Sequence, residues 1–381
     1  MTGYEIVYAT DTVLNAYLRA KKKSKDNRQI REFDRDLAGS ILDTQESLRT
    51  LQITPGKLLL LQIWEPKPRI VQAPSFRDKI IQNALCDSYL YDELTRCYIK
   101  DSYSSVKGKG THYGLTRLSA MLEGCYDKYG TNRGWIWKGD IRHFFDSIRH
   151  DKAKSLLART VRDERAFQLV CKYIDAYDAE KQDPGYAPKP FPPDDRRYGI
   201  PLGLRQNQLV ANLYLTPMDH RIKERYRVRY YGRYMDDFFA ISDSRTELEA
   251  LKAEVEQWLE EEWGLQTNEK SQIFPLRHGI DFLGFRTILY DDGSIERRLR
   301  LKSKQKMRAR LKSYERLVLE DKMSVGGVTR SYQSWRGHAE HGDTQKLLKK
   351  FDGLYMDILR AKDEQMQMRA IDKYNEEMNE P

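Results

Sequence analysis

The sequence lacks the features that mark secreted, zinc-bound or membrane-embedded chains. Its four cysteines, Cys86, Cys97, Cys125 and Cys171, form no CxxC pair, so neither a zinc site nor a disulfide framework is indicated. No apolar run approaches the length of a membrane span, and the first residues lack the basic-then-apolar pattern of a signal peptide. We therefore expect a reduced, cytoplasmic protein with no membrane partner.

Positive charge and aromatic residues are plentiful, whereas internal repeats are missing. The chain has 66 lysines and arginines against 57 aspartates and glutamates, which gives a net charge of +9 and a pI near 9.1. Such a balance suits a polyanionic partner. The 24 tyrosines can stack on bases or fill cores. With 381 residues, the chain is long enough for two or three subdomains.

An acidic pair, Asp236-Asp237, lies between two apolar, aromatic-rich runs at 230–235 and 238–241. This pattern predicts two short strands joined by a turn that carries both carboxylates. Neighbouring residues within a strand point to opposite faces, so only at a turn can adjacent aspartates lean toward one metal ion. The alternative is that the pair serves local backbone hydrogen bonds, since Asp is a common turn residue.

A second carboxylate ends another predicted strand, at residues 135–140, and a helix is expected to start within 141–148. An oxygen-ligand site for Mg²⁺ needs carboxylates from separate elements that leave room for water and substrate phosphates. Asp140 together with Asp236 and Asp237 can supply such a site.

These two elements resemble motifs A and C of reverse transcriptases, on the pattern Lys138-x-Asp140-(four residues)-Phe145 and the aromatic-Met-Asp-Asp hairpin. The resemblance implies that Asp140, Asp236 and Asp237 are catalytic and bind two divalent ions, Mg²⁺ or alternatively Mn²⁺. It also implies dNTP substrates, and it makes Phe145 the aromatic residue that packs against the sugar and excludes a 2′-hydroxyl.

The region 67–85 is similar to the fingers of reverse transcriptases, where a strand with an Arg-x-x-x-x-Pro pattern leads into an Arg-Asp-x-x-x-Gln helix. Ser75 is the expected helix cap. Lys67, Arg69 and Arg77 would then clamp the triphosphate of the incoming nucleotide. The alternative for each is a surface cation without a role.

Residues 199–214 resemble motif B, a turn glycine followed by a long apolar helix that lies under the template base and the nucleotide. Gly203 and Gln208 would therefore lie on the dNTP and template side. Most reverse transcriptases read Gln-Gly-x-x-x-Ser-Pro there, whereas this chain has Leu202, Asn207 and Gln208 in place of Gln, Ser and Pro. The Gln resembles the variant of diversity-generating retroelement enzymes, and Asn207 departs even from that.

Three later segments also resemble the family. Residues 264–270 resemble motif D, whose Lys270 would donate a proton to the departing pyrophosphate; a solvated lysine is the alternative. Residues 279–285 match the primer-grip hairpin. From Arg297 to Arg316, ten of twenty residues are basic, which predicts a helical thumb that tracks a duplex backbone.

The resemblance implies an α+β fold of the right-hand polymerase type, with a small antiparallel sheet and helices in the palm and a helical thumb. The expected subdomains are fingers at 1–135, with the helices and loop at 150–198 returning to fingers and palm; palm at 136–149 and 199–296; thumb at 297–360; and a charged tail, expected to fray, at 361–381.

The implied function is RNA-directed DNA synthesis by two-metal nucleotidyl transfer, error-prone and within a diversity-generating retroelement of a bacterium or phage. The implied partners are a template RNA, a DNA or RNA primer, the RNA–DNA duplex and a small basic accessory protein. One alternative is a phage-defence reverse transcriptase. A catalytically inactive RNA-binding protein is the other, and the intact carboxylates argue against it.

Overall fold

The computed structural model describes residues 3–63, 69–177 and 197–378. The chain forms two compact units. The first combines Met1–Gly114 with Trp135–Ile273, and the second combines Leu115–Gly134 with Phe274–Pro381. Helices and small antiparallel sheets alternate along the described residues, so the expected α+β class is confirmed.

The strands are short and antiparallel wherever their pairing is described. They are β1 (Leu59–Ile63), β2 (Arg69–Ala73), β3 (Trp135–Asp140), β4 (Tyr230–Tyr234), β5 (Asp237–Ser242), β6 (Gln272–Pro275), β7 (Ile280–Phe282), β8 (Phe285–Leu289) and β9 (Ile295–Leu299).

The α-helices range from a single turn to 34 residues. They are α1 (Thr10–Lys22), α2 (Arg28–Arg35), α3 (Leu37–Thr50), α4 (Phe76–Leu85), α5 (Tyr91–Thr95), α6 (Thr111–Tyr129), α7 (Phe144–Ser147), α8 (His150–Thr160), α9 (Glu164–Asp175), α10 (Arg205–His220), α11 (Arg245–Trp258), α12 (Leu301–Leu319), α13 (Val325–Ala339) and α14 (Gln345–Met378).

Polar caps begin several of these helices where the sequence offers a short oxygen-bearing side chain. The Ser75 hydroxyl accepts a 3.1 Å hydrogen bond from the Asp78 N–H, which confirms the predicted cap of α4. Ser244 caps α11 in the same way, through the Glu247 N–H at 3.2 Å. Such caps satisfy backbone donors that the first turn of a helix leaves unpaired. A π-helical turn, Leu259–Trp263, then extends α11.

The central sheet has the strand order β4-β5-β3-β6, and its first three strands lie in the first unit. In its register, Asp140 lies opposite Asp237 and Trp137 lies opposite Ala240. Because side chains alternate between faces, Trp137, Phe238 and Ala240 share one face, and all three are buried in the main core. Asp140 and Asp237 share the other face.

Helix α10 is the most deeply buried helix segment near this sheet, with twelve of its sixteen residues buried. A helix that is buried on nearly every side belongs inside a domain. Asn207, Asn212 and Asp219 interrupt its apolar surface although each is fully buried. Buried polar side chains need partners, and the partners of these three lie around the candidate site.

The second unit contains the three-stranded sheet β7-β8-β9 and helices α12 to α14. The predicted primer-grip hairpin is β7–β8, whose turn has positive φ at Leu283 (50°) and Gly284 (91°). This sheet and the C-terminal helices α12 to α14 belong to the same compact unit.

The expectation of one basic helix from Arg297 onward is wrong at its start. Residues 295–299 form β9, which pairs with β8, and α12 begins only at Leu301. The Arg297 guanidinium donates hydrogen bonds to the Leu115 and His341 carbonyl oxygens and to the Ser119 hydroxyl. Arg297 therefore holds its own unit together.

The tail expected to fray is also helical, because α14 continues without a break to Met378. Lys362 and Arg369 both pair with Asp321, at 2.5 and 2.6 Å, and Gln365 donates to the Leu319 carbonyl oxygen at 2.9 Å. These contacts tie α14 to the end of α12. Among the described residues, no helix is both long enough and apolar enough to cross a membrane.

Candidate active site

The predicted acidic hairpin is present, with Met235 and Asp236 as the two turn residues between β4 and β5. Tyr234 pairs with Asp237 to close the turn. Met235 has φ 58°, a left-handed conformation that suits two-residue hairpins but is uncommon for a residue other than glycine. The surrounding structure must therefore hold Met235 in place.

Two of the three predicted carboxylates are brought together by strand register alone. Asp140 is the last residue of β3 and lies directly opposite Asp237, the first residue of β5. Directly opposed residues have Cβ atoms about 4.5–5.5 Å apart. Lys138, two residues before Asp140 on the same face, forms an ion pair with Asp237, and the sequence did not predict that contact.

Asn268, in the segment similar to motif D, also contacts Asp140. Its side-chain amide donates a 2.5 Å hydrogen bond to Asp140 Oδ2, and its backbone N–H donates to the Asp140 carbonyl oxygen at 2.8 Å. The Asn268 Oδ1 atom accepts from the Lys270 N–H at 2.7 Å. Asn268 thus fixes one oxygen of Asp140 and ties the Lys270 backbone to it.

The donor chemistry of this site fits a hard divalent cation, since Asp140 and Asp237 are opposed carboxylates and Asp236 adjoins them in the turn. Within the described ranges, no three His, Cys, Asp or Glu side chains are gathered closely enough to hold a metal ion. The Lys138 ammonium supplies the positive charge that pairs with the Asp237 carboxylate. A bound cation would need this ion pair to open.

Phe145 and motif B are joined through the backbone. The Ile200 N–H donates to the Phe145 carbonyl oxygen at 3.0 Å, and the Gly199 N–H donates to that of Ile148 at 2.9 Å. Of the adjacent aromatic pair, Phe144 is buried in the core and Phe145 is only partly buried. Phe145 as the residue that excludes a 2′-hydroxyl stays a prediction.

Gly203 lies in a turn directly before α10, as predicted, and packs against the backbone of β2. A Cβ at this position would collide with the Gln72 carbonyl oxygen. The Gln72 side chain accepts a 3.3 Å hydrogen bond from the Leu202 N–H, and the Asn207 amide donates to the Pro201 carbonyl oxygen at 3.0 Å. The motif B loop is thus held from both sides.

Gln208 is exposed on α10 and accepts a 3.3 Å hydrogen bond from the Ser105 hydroxyl. Lys270 is also exposed. The roles predicted for Gly203, Gln208 and Lys270 stay predictions.

The structure describes the three predicted triphosphate-binding side chains of the fingers to different extents. Lys67 lies outside the described residues, and only the backbone of Arg69 is described, opposite Ile63 in the β1–β2 pair. The Arg77 guanidinium donates to Asp43 at 2.8 Å and to Ser47 at 2.6 Å, both on α3. This contact joins α3 to α4, and binding of a triphosphate by Arg77 stays a prediction.

A buried charged group behind the hairpin was missed by the sequence reasoning. Arg233 on β4 and Asp219 on α10 form an ion pair with both side chains fully buried. Burial, reinforced by the Asp219 carboxylate, raises the pKa of the Tyr231 phenol well above its usual range. The available signal was a single arginine inside the aromatic strand Tyr230–Tyr234 and a single carboxylate inside the helix Arg205–His220.

Comparison with known proteins identifies the family of this region. A profile described as reverse transcriptase (RNA-dependent DNA polymerase) matches residues 65–287, more than half of the chain. The uncharacterized 91 kDa protein in the cob intron of Schizosaccharomyces pombe is 28% identical over 195 residues, which cover 49% of this chain and 21% of that protein. Protein YkfC of Escherichia coli K12 is 24% identical over 275 residues, which cover 62% of this chain and 68% of that protein.

Solved structures with a similar course of the chain include two telomerases. The enzyme of Candida albicans in complex with a fragment of telomeric RNA has 12% identity and a TM-score of 0.47, covering 80% of this chain and 55% of that one. The apo enzyme of Candida tropicalis has 12% identity and a TM-score of 0.45, covering 95% and 78%.

The profile match extends from before β2 to within β8 and so includes the opposed Asp140 and Asp237, the acidic turn and the motif B loop. The chain belongs to the reverse transcriptase (RNA-dependent DNA polymerase) family.

Proposed function

We propose that this protein is an RNA-directed DNA polymerase that extends a primer along an RNA template with dNTPs. The observation that carries the proposal is the cross-strand pair Asp140–Asp237 at the Met-Asp-Asp turn, within the region that matches the family. Members of this family use divalent metal ions and dNTPs, and carboxylates are suitable ligands for Mg²⁺ or Mn²⁺.

In this proposal Asp140, Asp236 and Asp237 hold the divalent ions. When bound, the ions would activate the primer 3′-hydroxyl and neutralise the triphosphate during the in-line displacement. Asn268 restricts rotation of the Asp140 carboxylate by its hydrogen bond to Oδ2. Lys270 is the proposed proton donor to pyrophosphate.

The nucleotide pocket is proposed to lie where Phe145 and the motif B loop meet. The Ile200 N–H donates a hydrogen bond to the Phe145 carbonyl oxygen. A shift of the motif B loop would therefore move Phe145, the residue expected to exclude a 2′-hydroxyl. Gly203 lets the loop contact β2, the strand that Arg69 begins. Arg69 and Lys67 are the proposed triphosphate ligands.

The finer proposal is an error-prone enzyme of a diversity-generating retroelement, with its template RNA and a small basic accessory protein as partners. Leu202 and Gln208 support it, because they replace the Gln and Pro common in the family at positions expected under the nascent base pair. Altered packing there would lower the penalty for a wrong pair, and each ~1.4 kcal/mol of lost discrimination raises the error rate tenfold.

Sequencing of the cDNA made on a defined RNA template tests both the polymerase function and the retroelement assignment. We expect DNA complementary to the template, with misincorporation concentrated opposite adenine. Leu202→Gln combined with Gln208→Pro should reduce these errors; position 208 is the fourth residue of α10, close to its N-terminus. Errors spread evenly over four template bases would refute the retroelement assignment and favour a defence-type enzyme. Absence of template-dependent DNA would refute the polymerase itself.

A further inference from the structure

The guanidinium of Arg233 lies behind the acidic turn and is completely buried. Its Nη2 and Nε atoms donate to the two oxygens of Asp219, at 2.6 and 2.8 Å. Arg233 lies opposite Phe238 in the strand register, and strand alternation places it on the face away from Asp140 and Asp237. The charged pair therefore contacts the hairpin from the side that faces α10.

The third nitrogen of the same guanidinium reaches the turn itself. Nη1 donates to the Met235 carbonyl oxygen at 2.8 Å and to the Asn212 side-chain oxygen at 3.0 Å. Met235 is the turn residue with φ 58°. One planar, rigid group thus connects the strained turn to Asp219 and Asn212, two residues of α10.

The rest of this cluster is fixed as well. The Tyr231 hydroxyl donates to Asp219 Oδ1 at 2.6 Å, and the Asn212 amide donates to the Ser104 carbonyl oxygen at 2.8 Å. The Arg233 backbone bonds in both directions with the segment beside β4, to the Asp101 carbonyl oxygen and from the Tyr103 N–H, each at 2.9 Å. Every side-chain nitrogen of Arg233 has a described partner.

Stability alone is a poor explanation for such a pair. Removing two charges from water is costly, and replacing a buried ion pair with apolar residues of similar volume is often neutral or stabilising. The Arg233 guanidinium donates to the Asp219 carboxylate and to the Met235 carbonyl oxygen at the same time. It can therefore orient the turn, which an apolar side chain cannot do.

We propose that Arg233, oriented by Asp219, is a positioning residue that holds Met235 in its left-handed conformation and so keeps Asp236 and Asp237 in place for metal binding. This inference rests on the proposed polymerase function and adds a dependence of the acidic turn on α10. Arg233 acts through the Met235 carbonyl and touches neither substrate nor metal.

The test separates position from stability by replacing the whole charged cluster with apolar residues. In the triple variant Arg233→Met, Asp219→Leu, Tyr231→Phe, no partner of the ion pair is left as a buried charge or hydroxyl, and the Asn212 amide oxygen is the one side-chain acceptor among the described contacts of Arg233 that remains and loses its donor. We expect a melting temperature near that of the wild type, a kcat lower by the order of 10²-fold, and weaker Mn²⁺ binding measured without nucleotide by electron paramagnetic resonance. Val255→Ala, which shortens a buried side chain of α11, is the control for reduced stability and should lower the melting temperature without changing kcat.

A triple variant with wild-type melting temperature, kcat and Mn²⁺ affinity would overturn the proposal. If the triple variant does not fold, Arg233→Lys decides, because lysine keeps the charge but cannot satisfy Asp219 and Met235 together. A folded Arg233→Lys protein with wild-type kcat and Mn²⁺ affinity contradicts the proposal, and a loss of both supports it. Failure of the wild type to polymerise would instead refute the proposed function, and the Mn²⁺ measurement would still report on Arg233.

Discussion

The side-chain amide of Asn268 is hydrogen-bonded to Oδ2 of Asp140, a predicted metal ligand that lies 128 positions earlier in the chain. Partners of this kind orient metal ligands, and their loss typically lowers metal affinity or activity by about 10–100-fold. We expect Asn268→Leu, which removes the donor and keeps the volume, to lower kcat by this factor.

Gln266→Leu is the matched control for Asn268→Leu, because Gln266 lies in the same segment and its side chain bonds to Glu260. Primer extension at saturating dNTP compares the two variants. Equal activity of Asn268→Leu and the wild type would show that Asp140 needs no such partner.

Helix α12 presents Lys304, Arg308 and Lys312 at a spacing of four residues, which places them along one stripe. If this stripe follows a duplex, changing all three to Gln should weaken binding to every sequence. The salt slope should fall by roughly 0.7 to 0.9 for each phosphate that the protein no longer neutralises. The measurement is the dissociation constant for an RNA–DNA duplex at several salt concentrations.

The control for this stripe changes the net charge equally at a different place. Lys22, Lys23 and Lys25 are exposed near the end of α1, and their replacement by Gln should leave the slope near the wild-type value. A stripe variant with an unchanged slope would move the duplex path elsewhere.

Phe145 is expected to discriminate between dNTPs and rNTPs. Phe145→Ala should raise relative rNTP use by the order of 10²-fold, equivalent to about 2.7 kcal/mol. The neighbouring Phe144 is buried in the core, so Phe144→Leu should lower stability and leave the dNTP preference unchanged. The measurement is the ratio of kcat/KM values for a matched dNTP and rNTP. An unchanged ratio in Phe145→Ala would show that Phe145 is not the residue that excludes the 2′-hydroxyl.

We expect His150, which lies beside the motif B loop, to make the free energy of unfolding pH-dependent. Its Nε2 atom lies 2.7 Å from the Gly199 carbonyl oxygen, and Nδ1 is buried with no hydrogen-bond partner among the described residues. Burial lowers the pKa of His150, and the Arg197 and Lys154 charges add to that effect; the bond to Gly199 and the Asp175 carboxylate oppose it.

The direction of this pH dependence follows from the difference in proton binding between the folded and the unfolded chain. The unfolded chain, with an ordinary histidine pKa of about 6.5, binds the proton more readily than the folded one. The contribution of His150 is therefore complete above about pH 6.5 and is lost as the pH falls toward the lowered folded pKa. Urea unfolding at pH 7.5 and 5.5 should show a larger loss for the wild type than for His150→Gln. The exposed His278→Gln is the control, and equal losses in wild type and His150→Gln would contradict the assignment.

Local patterns explain which parts of the fold could be predicted. The strands around Asp236-Asp237, the strand ending at Asp140 and the cap at Ser75 follow from alternation, turn chemistry and capping within a few residues. Gly203 was located by a turn followed by a long apolar stretch. The sequence therefore supplied the carboxylates and the elements that carry them.

The missed features depend on contacts far apart in sequence. Arg297 and Arg298 belong to the basic stretch, yet pairing with β8 makes residues 295–299 a strand, because tertiary pairing outweighs local propensity. Residues 361–378 are helical where ion pairs with Asp321 hold them. Lys138, Asn268 and Arg233 each gain significance only from partners on other elements, and one sequence does not reveal those partners.

The most direct measurement of the central claim is primer extension on RNA with dNTPs and Mg²⁺ or Mn²⁺, comparing the wild type with the double variant Asp236→Ala, Asp237→Ala. We expect the wild type to make cDNA and the double variant to make none, because the site loses two of its three carboxylates. RNA binding by the double variant should remain at the wild-type level. A double variant that synthesises cDNA at the wild-type rate would contradict the assignment of this hairpin as the catalytic centre.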